Sequence, residues 1–232
     1  LGVHQGRAVY LLFDAAHAFG VSSGGRMVGS FGSAEVFSFH ATKFFNAIEG
    51  GAIATNDDEL ADKVRLMRNF GFAGYDDVVY PGTNGKMTEV CAAMGLSNLG
   101  MLDDIFAANR FNYTAYKEGL RDVTGIRVLD YDQTERNSHH YVVLEVDARC
   151  NATRDQIIFA LHAENVLARK YFWPGCHNMK PFKDLFPHAG LMLDGTRQIA
   201  ERVIVLPTGP SIGASEIAQV CSIIRLLASS SA

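Results

Sequence analysis

No apolar stretch in this 232-residue sequence approaches the roughly 20 residues that a helical membrane span requires. The opening, Leu1-Gly2-Val3-His4-Gln5-Gly6-Arg7, has neither an initiator Met nor the charged-then-apolar order of a signal peptide. Paired cysteines are missing as well. Cys91, Cys150, Cys176 and Cys221 are widely separated and form no CxxC, the pattern of buried thiols in a reducing compartment, so a cytoplasmic location is expected. His139, His140, His162, His177 and His188 show no HExxH or paired Cys/His spacing, and no metal site is expected. Excess charge of either sign is lacking too. A net charge of -4 and a pI near 6.1 leave no electrostatic footprint for nucleic acid or an anionic membrane. Gly24, Gly25, Gly29 and Gly32 cluster, but neither GxxxxGK[ST] nor a GxGxxG opening a helix is present, which argues against a nucleotide cofactor.

What the sequence has is the composition of an ordinary globular protein, 48% hydrophobic and 20% charged. Apolar runs predict strands over residues 8–13, 35–39 and 51–55. Residues 56–60 open a helix with a polar cap and acids in the first turn, continued by Leu60, Ala61, Val64 and Met67 at helical spacing. A glycine- and aromatic-rich loop follows over 71–85, of a length that tends to serve binding or assembly. Two helices are predicted over 87–102 and 103–120, and a link near 122–125. Beyond it the pattern predicts strands at 126–129 and 140–146, a helix over 153–164, a strand near 168–172 and a final helix over 214–227. Strands alternating with helices across a link make an α/β protein with a smaller α+β domain.

Two stretches carry candidate chemistry. Phe37-Ser38-Phe39-His40-Ala41-Thr42-Lys43-Phe44-Phe45 places a lysine among aromatic residues just past a strand, a half-buried setting that favours the nucleophilic free amine. Val9-Tyr10-Leu11-Leu12-Phe13-Asp14 ends a buried-type strand on a carboxylate, and ligands sit outside the carboxyl ends of parallel strands. A lysine that can form a Schiff base with an aldehyde, and an acid that keeps a pyridine nitrogen protonated, are what pyridoxal phosphate chemistry asks for. Taken singly, such an Asp is usually a turn former and such a Lys a solvated charge.

The order of motifs is more specific than either residue. Asp14-Ala15-Ala16-His17-Ala18-Phe19-Gly20, then Phe37 to Lys43, Glu49-Gly50-Gly51-Ala52-Ile53, Asn84-Gly85-Lys86-Met87-Thr88-Glu89, Ala92-Ala93-Met94-Gly95-Leu96 and the closing Leu206-Pro207 resemble the DegT/StrS family of nucleotide-sugar aminotransferases. The resemblance implies a fold type I pyridoxal phosphate enzyme. It makes Lys43 the Schiff-base lysine and Asp14 the partner of the pyridine nitrogen. His17 would lie near the ring hydroxyl, Ser38 would bind the phosphate, and Asn84 would reach the phosphate of a neighbouring subunit's cofactor, so that a homodimer shares its sites. Tyr171 and His177, in Arg169-Lys170-Tyr171-Phe172-Trp173-Pro174-Gly175-Cys176-His177, and His140, in Ser138-His139-His140-Tyr141, are candidates for substrate contact. An edge strand with Trp173 packed under Pro174 accounts for the first of these segments as well.

The implied reaction is ping-pong transfer of an amino group from an amino acid, usually glutamate, to a nucleotide-diphosphate-linked keto sugar, with Lys43 shuttling the proton. The segment from Tyr171 to His177 inclines the expectation to a thymidine-diphosphate 4-keto-6-deoxy sugar. The pyridoxamine-dependent dehydratases among the relatives carry His where this chain has Lys43. A catalytically silent binding or regulatory protein is the reading from a different class, and an inactive fragment is a further one. The family's chains begin upstream of the position matching Leu1, with the phosphate-gripping turn. The expectation is therefore a fragment: residues 1–122 as the remainder of the large cofactor-binding domain with a partial sheet, and 123–232 as the small C-terminal domain. Unpaired sheet edges in such a piece are expected to make it fold poorly alone.

Overall fold

A computed structural model describes residues 2–4 and 7–229, which fall into two compact units: Leu1–Phe106 with Asp132–Ser138, and Ala107–Tyr131 with His139–Ala232. In the first, β1 (Gly2–His4) and β2 (Arg7–Val9) form an antiparallel hairpin, while β3 (Leu12–Asp14) belongs to a different sheet. The single strand expected over 8–13 is thus split at Tyr10-Leu11. There the backbone changes partner: Ser33 N–H donates to Leu11 O (2.8 Å) and Leu11 N–H to Ser33 Oγ (3.2 Å). β4 (Ser22–Ser23) and β5 (Arg26–Met27) make a tight hairpin whose two turn residues, Gly24 and Gly25, have φ of 59° and 72°. Positive φ at both positions is the turn that matches strand twist.

The sheet that matters for chemistry has the order β3-β6-β7, with β6 at Ala34–Ser38 and β7 at Gly51–Ala54. β3 runs parallel to β6 with Asp14 opposite Val36; β7 returns antiparallel with Gly51 opposite Ser38. Glu35 on β6 is 2% exposed, and its Oε2 accepts from Gly29 N–H (2.5 Å) and Phe31 N–H (2.8 Å). A buried carboxylate is tolerable when backbone donors surround it, and here it ties the glycine-rich loop to the sheet.

α1 (Asp58–Met67) is capped by the Asp57 carboxylate, which accepts from Leu60 N–H (3.0 Å), and carries Asp58 and Glu59 in its first turn. The chain then turns at Gly71, where φ is +81° and a Cβ would lie 1.7 Å from Tyr80 O, so no side chain fits. Bridges Asn69↔Asn84 and Phe72↔Val78 hold this loop together. α2 (Glu89–Gly100) is capped by Thr88, and α3 (Leu102–Leu120) follows at once. Segment Asp132–Ser138 belongs to this unit: the Glu135 carboxylate accepts from Ser22 Oγ (2.5 Å) and Gly25 N–H (3.1 Å), bonds that hold its pKa below the usual carboxylate range.

In the second unit β8 (Ile126–Val128), β9 (Val142–Val146) and β10 (Val203–Leu206) form an antiparallel sheet of order β10-β9-β8. Alternating burial along β9 puts Val142, Leu144 and Val146 into a core with Tyr113, Tyr116 and Leu120 of α3, Ile157 and Leu161 of α4 (Arg154–Ala163), and Ile217, Val220 and Ile224 of α7 (Ala214–Ser229). Two short helices, α5 (Phe182–Leu185) and α6 (Asp194–Ala200), lie before β10. Tyr116 is fully buried, and its hydroxyl donates to Pro207 O (3.0 Å). Thr153 and Gln156 complete a capping box on α4. β9 starts at Val142 rather than at 140, just after His139 with its φ of 45°. The strand expected near 168–172 is reduced to one bridge, Arg169↔Val205, because the chain turns from Tyr171 onward toward Pro174 and Gly175. The mixed α/β class agrees with expectation. Among the described residues no single helix is long and apolar enough to cross a membrane.

Glu35→Ala leaves the Gly29 and Phe31 amides without their acceptor and is expected to cost about 2–4 kcal/mol in urea unfolding. A loss under about 0.5 kcal/mol would show that the loop does not depend on this carboxylate.

Candidate active site

Lys43 sits in the loop that joins β6 to β7, closed at its base by Phe39 N–H to Gly50 O (2.8 Å) and, inside it, by Ala47 N–H to Phe39 O (2.8 Å). Aromatic packing fixes this loop against the turn after β3. Phe19 stacks on Phe45 with ring centroids 4.4 Å apart and meets Phe39 edge-on at 5.1 Å, and Phe39 and Phe45 touch at 4.9 Å. Asn98 of α2 donates from Nδ2 to Asn46 O (2.9 Å), tying the loop from the other side. The half-buried Lys43 is thereby held above the end of the sheet.

Asp14 ends β3, and Ala15 N–H continues the pairing to Val36 O (2.9 Å). Its Oδ1 accepts from Ala16 N–H (3.0 Å), the bond of an ordinary Asx turn, and the carboxylate remains exposed. The turn brings His17 back over the strand ends, where its Nε2 lies 2.9 Å from Lys43 Nζ. A protonated amine can only donate, so Nε2 accepts and the neutral imidazole carries its proton on Nδ1. Burial, then the charge of Lys43, hold the His17 pKa below its usual 6.5, with Asp14 pulling the other way. One imidazole thus feels both the amine and the carboxylate. Ser38, half-buried at the end of β6, accepts at Oγ from His40 N–H (3.4 Å). Asn84 is exposed, and its backbone is bridged to Asn69 beyond α1.

His140, Tyr171 and His177 belong to the second unit. His140 and Tyr171 both neighbour Tyr141, with ring centroids at 4.4 and 5.9 Å. The Arg169 guanidinium lies 4.6 Å over Tyr171, which stacks on Phe172 at 4.7 Å. His177 stands further along, in a 3₁₀ turn at Cys176–Asn178.

Residues absent from the sequence-based candidates also shape the site. Phe19 is one, inside a motif but silent until its ring is seen packed against two others. His40 and Glu49 are a second pair, with Nε2 3.5 Å from Oε1 across the lysine loop. The matching Phe and Glu-Gly-Gly positions in the motifs were the available signal. A cleft of about 630 Å³ between the sheet and α1, lined by Val36, Phe37, Ile53, Val64 and Arg68 among others, contains none of the candidates. Among the described residues no group of three His, Cys, Asp or Glu could hold a metal ion.

A family model described as the DegT/DnrJ/EryC1/StrS aminotransferase family matches residues 3–225. The chain is similar to dTDP-4-amino-4,6-dideoxy-D-glucose transaminase of Shigella dysenteriae, 34% identical over 218 residues, 93% of this chain and 58% of that protein. Similarity extends to GDP-perosamine synthase of Vibrio cholerae, 27% identical over 94% of this chain and 59% of that one. Among solved structures, that of DesI in the presence of its TDP-sugar product aligns with a TM-score of 0.85 and 46% identity, covering 95% of this chain and 56% of that chain. The chain therefore spans somewhat over half the length of the proteins it matches.

The His17–Lys43 pair contributes stability above a pH near 6.5 that is lost as pH falls through the lowered folded value, because the unfolded chain binds the proton more tightly. In cofactor-free protein, an NMR titration is expected to place the His17 midpoint below 6.5, and Lys43→Met to move it upward. An unmoved midpoint in the variant would mean that amine and imidazole are apart in solution.

Proposed function

This chain belongs to the DegT/DnrJ/EryC1/StrS aminotransferase family, and we propose that the protein it forms part of is a pyridoxal phosphate-dependent transaminase, moving an amino group from an amino acid, glutamate by preference, to a nucleotide-diphosphate-linked keto sugar. The observation that carries this reading is the Lys43 amine 2.9 Å from a neutral imidazole that also senses the Asp14 carboxylate, at the ends of two parallel strands. Pyridoxal phosphate, when bound, supplies the aldehyde that receives nitrogen and a protonated ring that draws off electrons.

The residues present fit that group. Lys43 Nζ is a primary amine on a loop braced by aromatic rings, suited to hold the aldehyde and then, once freed, to carry the proton that leaves the donor's α-carbon. Asp14 is an exposed acceptor that holds a proton on the pyridine nitrogen. His17 orients the amine and faces the ring hydroxyl; Ser38 offers a hydroxyl to the phosphate; Asn84 reaches the phosphate in a partner subunit of a homodimer. His140, Tyr171 and His177 meet the sugar nucleotide. In this reading residues 1–122 are part of the cofactor-binding domain and 123–232 form the small domain. The relative from Shigella dysenteriae, whose name specifies a dTDP-4-amino-4,6-dideoxy sugar, favours a thymidine-diphosphate 4-keto-6-deoxy substrate. The thiols of Cys91, Cys150, Cys176 and Cys221 are all free, which suits a reducing cytoplasm.

The intact protein is expected to show the visible absorbance of a lysine-bound cofactor, which glutamate bleaches and a nucleotide keto sugar restores. Lys43→Ala is expected to remove the band and lower turnover by at least about 10²–10⁴-fold. Ser38→Ala is expected to weaken cofactor binding by roughly tenfold while leaving the band in place at saturation. A colourless wild-type protein unaffected by Lys43→Ala would favour a binding module instead.

A further inference from the structure

Gly175-Cys176-His177-Asn178 builds a tight seat around His177. Gly175 has φ of +86°, and a Cβ there would lie 2.7 Å from His177 Cε1 and 3.0 Å from its Nδ1. On another edge of the ring, a Cβ on Gly190 would lie 3.3 Å from Cδ2. The imidazole is therefore seated in a slot left by two missing side chains. The segment before it is anchored. Arg169 and Val205 exchange both backbone hydrogen bonds (2.9 and 2.8 Å), and Trp173 has the Arg154 guanidinium 5.0 Å and the Lys170 amine 5.7 Å from its ring. Arg154 is itself 5% exposed, donates to Ala200 O (2.7 Å), and shares Asp155 Oδ1 with Lys170.

Asn178 then decides the protonation of the ring. Its Nδ2 lies 3.1 Å from Pro174 O and 3.0 Å from His177 Nε2. A carbonyl oxygen can only accept, so the group facing it is the amide NH₂, and the second hydrogen of that NH₂ points at Nε2. Nε2 must offer its lone pair. The proton of His177 is left on Nδ1, which has no partner among the described residues and is not among their buried unpaired atoms.

We propose that Asn178 is a positioning residue that fixes His177 as the neutral Nδ1–H tautomer, so that it presents a single uncharged hydrogen-bond donor to an oxygen of the nucleotide-linked sugar. The proposal rests on the reading that His177 meets that substrate.

The test uses the intact, cofactor-loaded protein labelled with ¹⁵N-histidine, with His177 assigned by difference from His177→Gln. At neutral pH the wild type is expected to show a protonated Nδ1 and an unprotonated Nε2. Asn178→Asp, which replaces the donor by an acceptor, is expected to move the proton to Nε2 or to charge the ring. The KM for the nucleotide keto sugar should rise roughly three- to tenfold, by more than any change in the bleaching of the cofactor band by glutamate. Gly190→Ala, which crowds Cδ2, should raise the same KM without changing the tautomer. A wild-type ring protonated on Nε2, or a tautomer switched by Asn178→Asp with KM unmoved, overturns the proposal while the aminotransferase reading stands. A wild-type protein with neither band nor turnover overturns both.

Discussion

The parallel pairing of β3 with β6 is the constraint on which the candidate site depends. With Asp14 opposite Val36, β3 ends beside the last residues of β6, and everything chemical is hung from these neighbouring ends: a carboxylate on one, a hydroxyl and then a lysine loop on the other. A slip of one residue would turn Asp14 to the other face of the sheet. Resistance to such a slip comes from the Glu35 carboxylate, which fastens the intervening glycine-rich loop, and from Phe19, packed against both Phe39 and Phe45. The fold therefore spends a buried charge and three aromatic rings to hold two strand ends in register.

Within that frame His17 mediates between amine and acid. It is close enough to Lys43 to accept a hydrogen bond and close enough to Asp14 to feel its charge, and the two influences oppose each other on its pKa. Such an imidazole is kept neutral where it is needed as an acceptor. A parallel holds in the second unit, where Asn178 sets the state of His177 by supplying a donor rather than a charge. In each case a side chain with two possible tautomers is reduced to one by its neighbour.

Much of this was legible in the residues. The apolar run ending on Asp14 and the aromatic-flanked Lys43 are local patterns, and the strand and helix between and after them follow from period and capping. The resemblance joined residues 14, 17 and 43, whose proximity spacing could not show. Illegible features share a cause: they depend on partners distant in sequence. The break at Tyr10-Leu11 arises from Ser33, 22 residues away. β10 has no counterpart among the predicted strands, because a four-residue run, Val203–Leu206, carries too little period to read. Arg169 looked like strand and is one rung only, since Pro174 and Gly175 end any extension. The slot around His177 needs Gly190, which no local motif ties to it.

The phenol of Tyr116, sealed in the core beneath Pro207, carries a consequence beyond packing. Burial, reinforced by the neighbouring Cys221, raises its pKa far above the ordinary 10.0, so the native fold grips that proton more firmly than the open chain does. Its contribution to stability is intact below about pH 10 and drains away as alkalinity increases beyond it. An ionisable ring at the centre of an apolar cluster gives the second unit an alkaline liability, shared with Tyr131, Tyr141 and the Cys221 thiol, whose pKa values burial also raises.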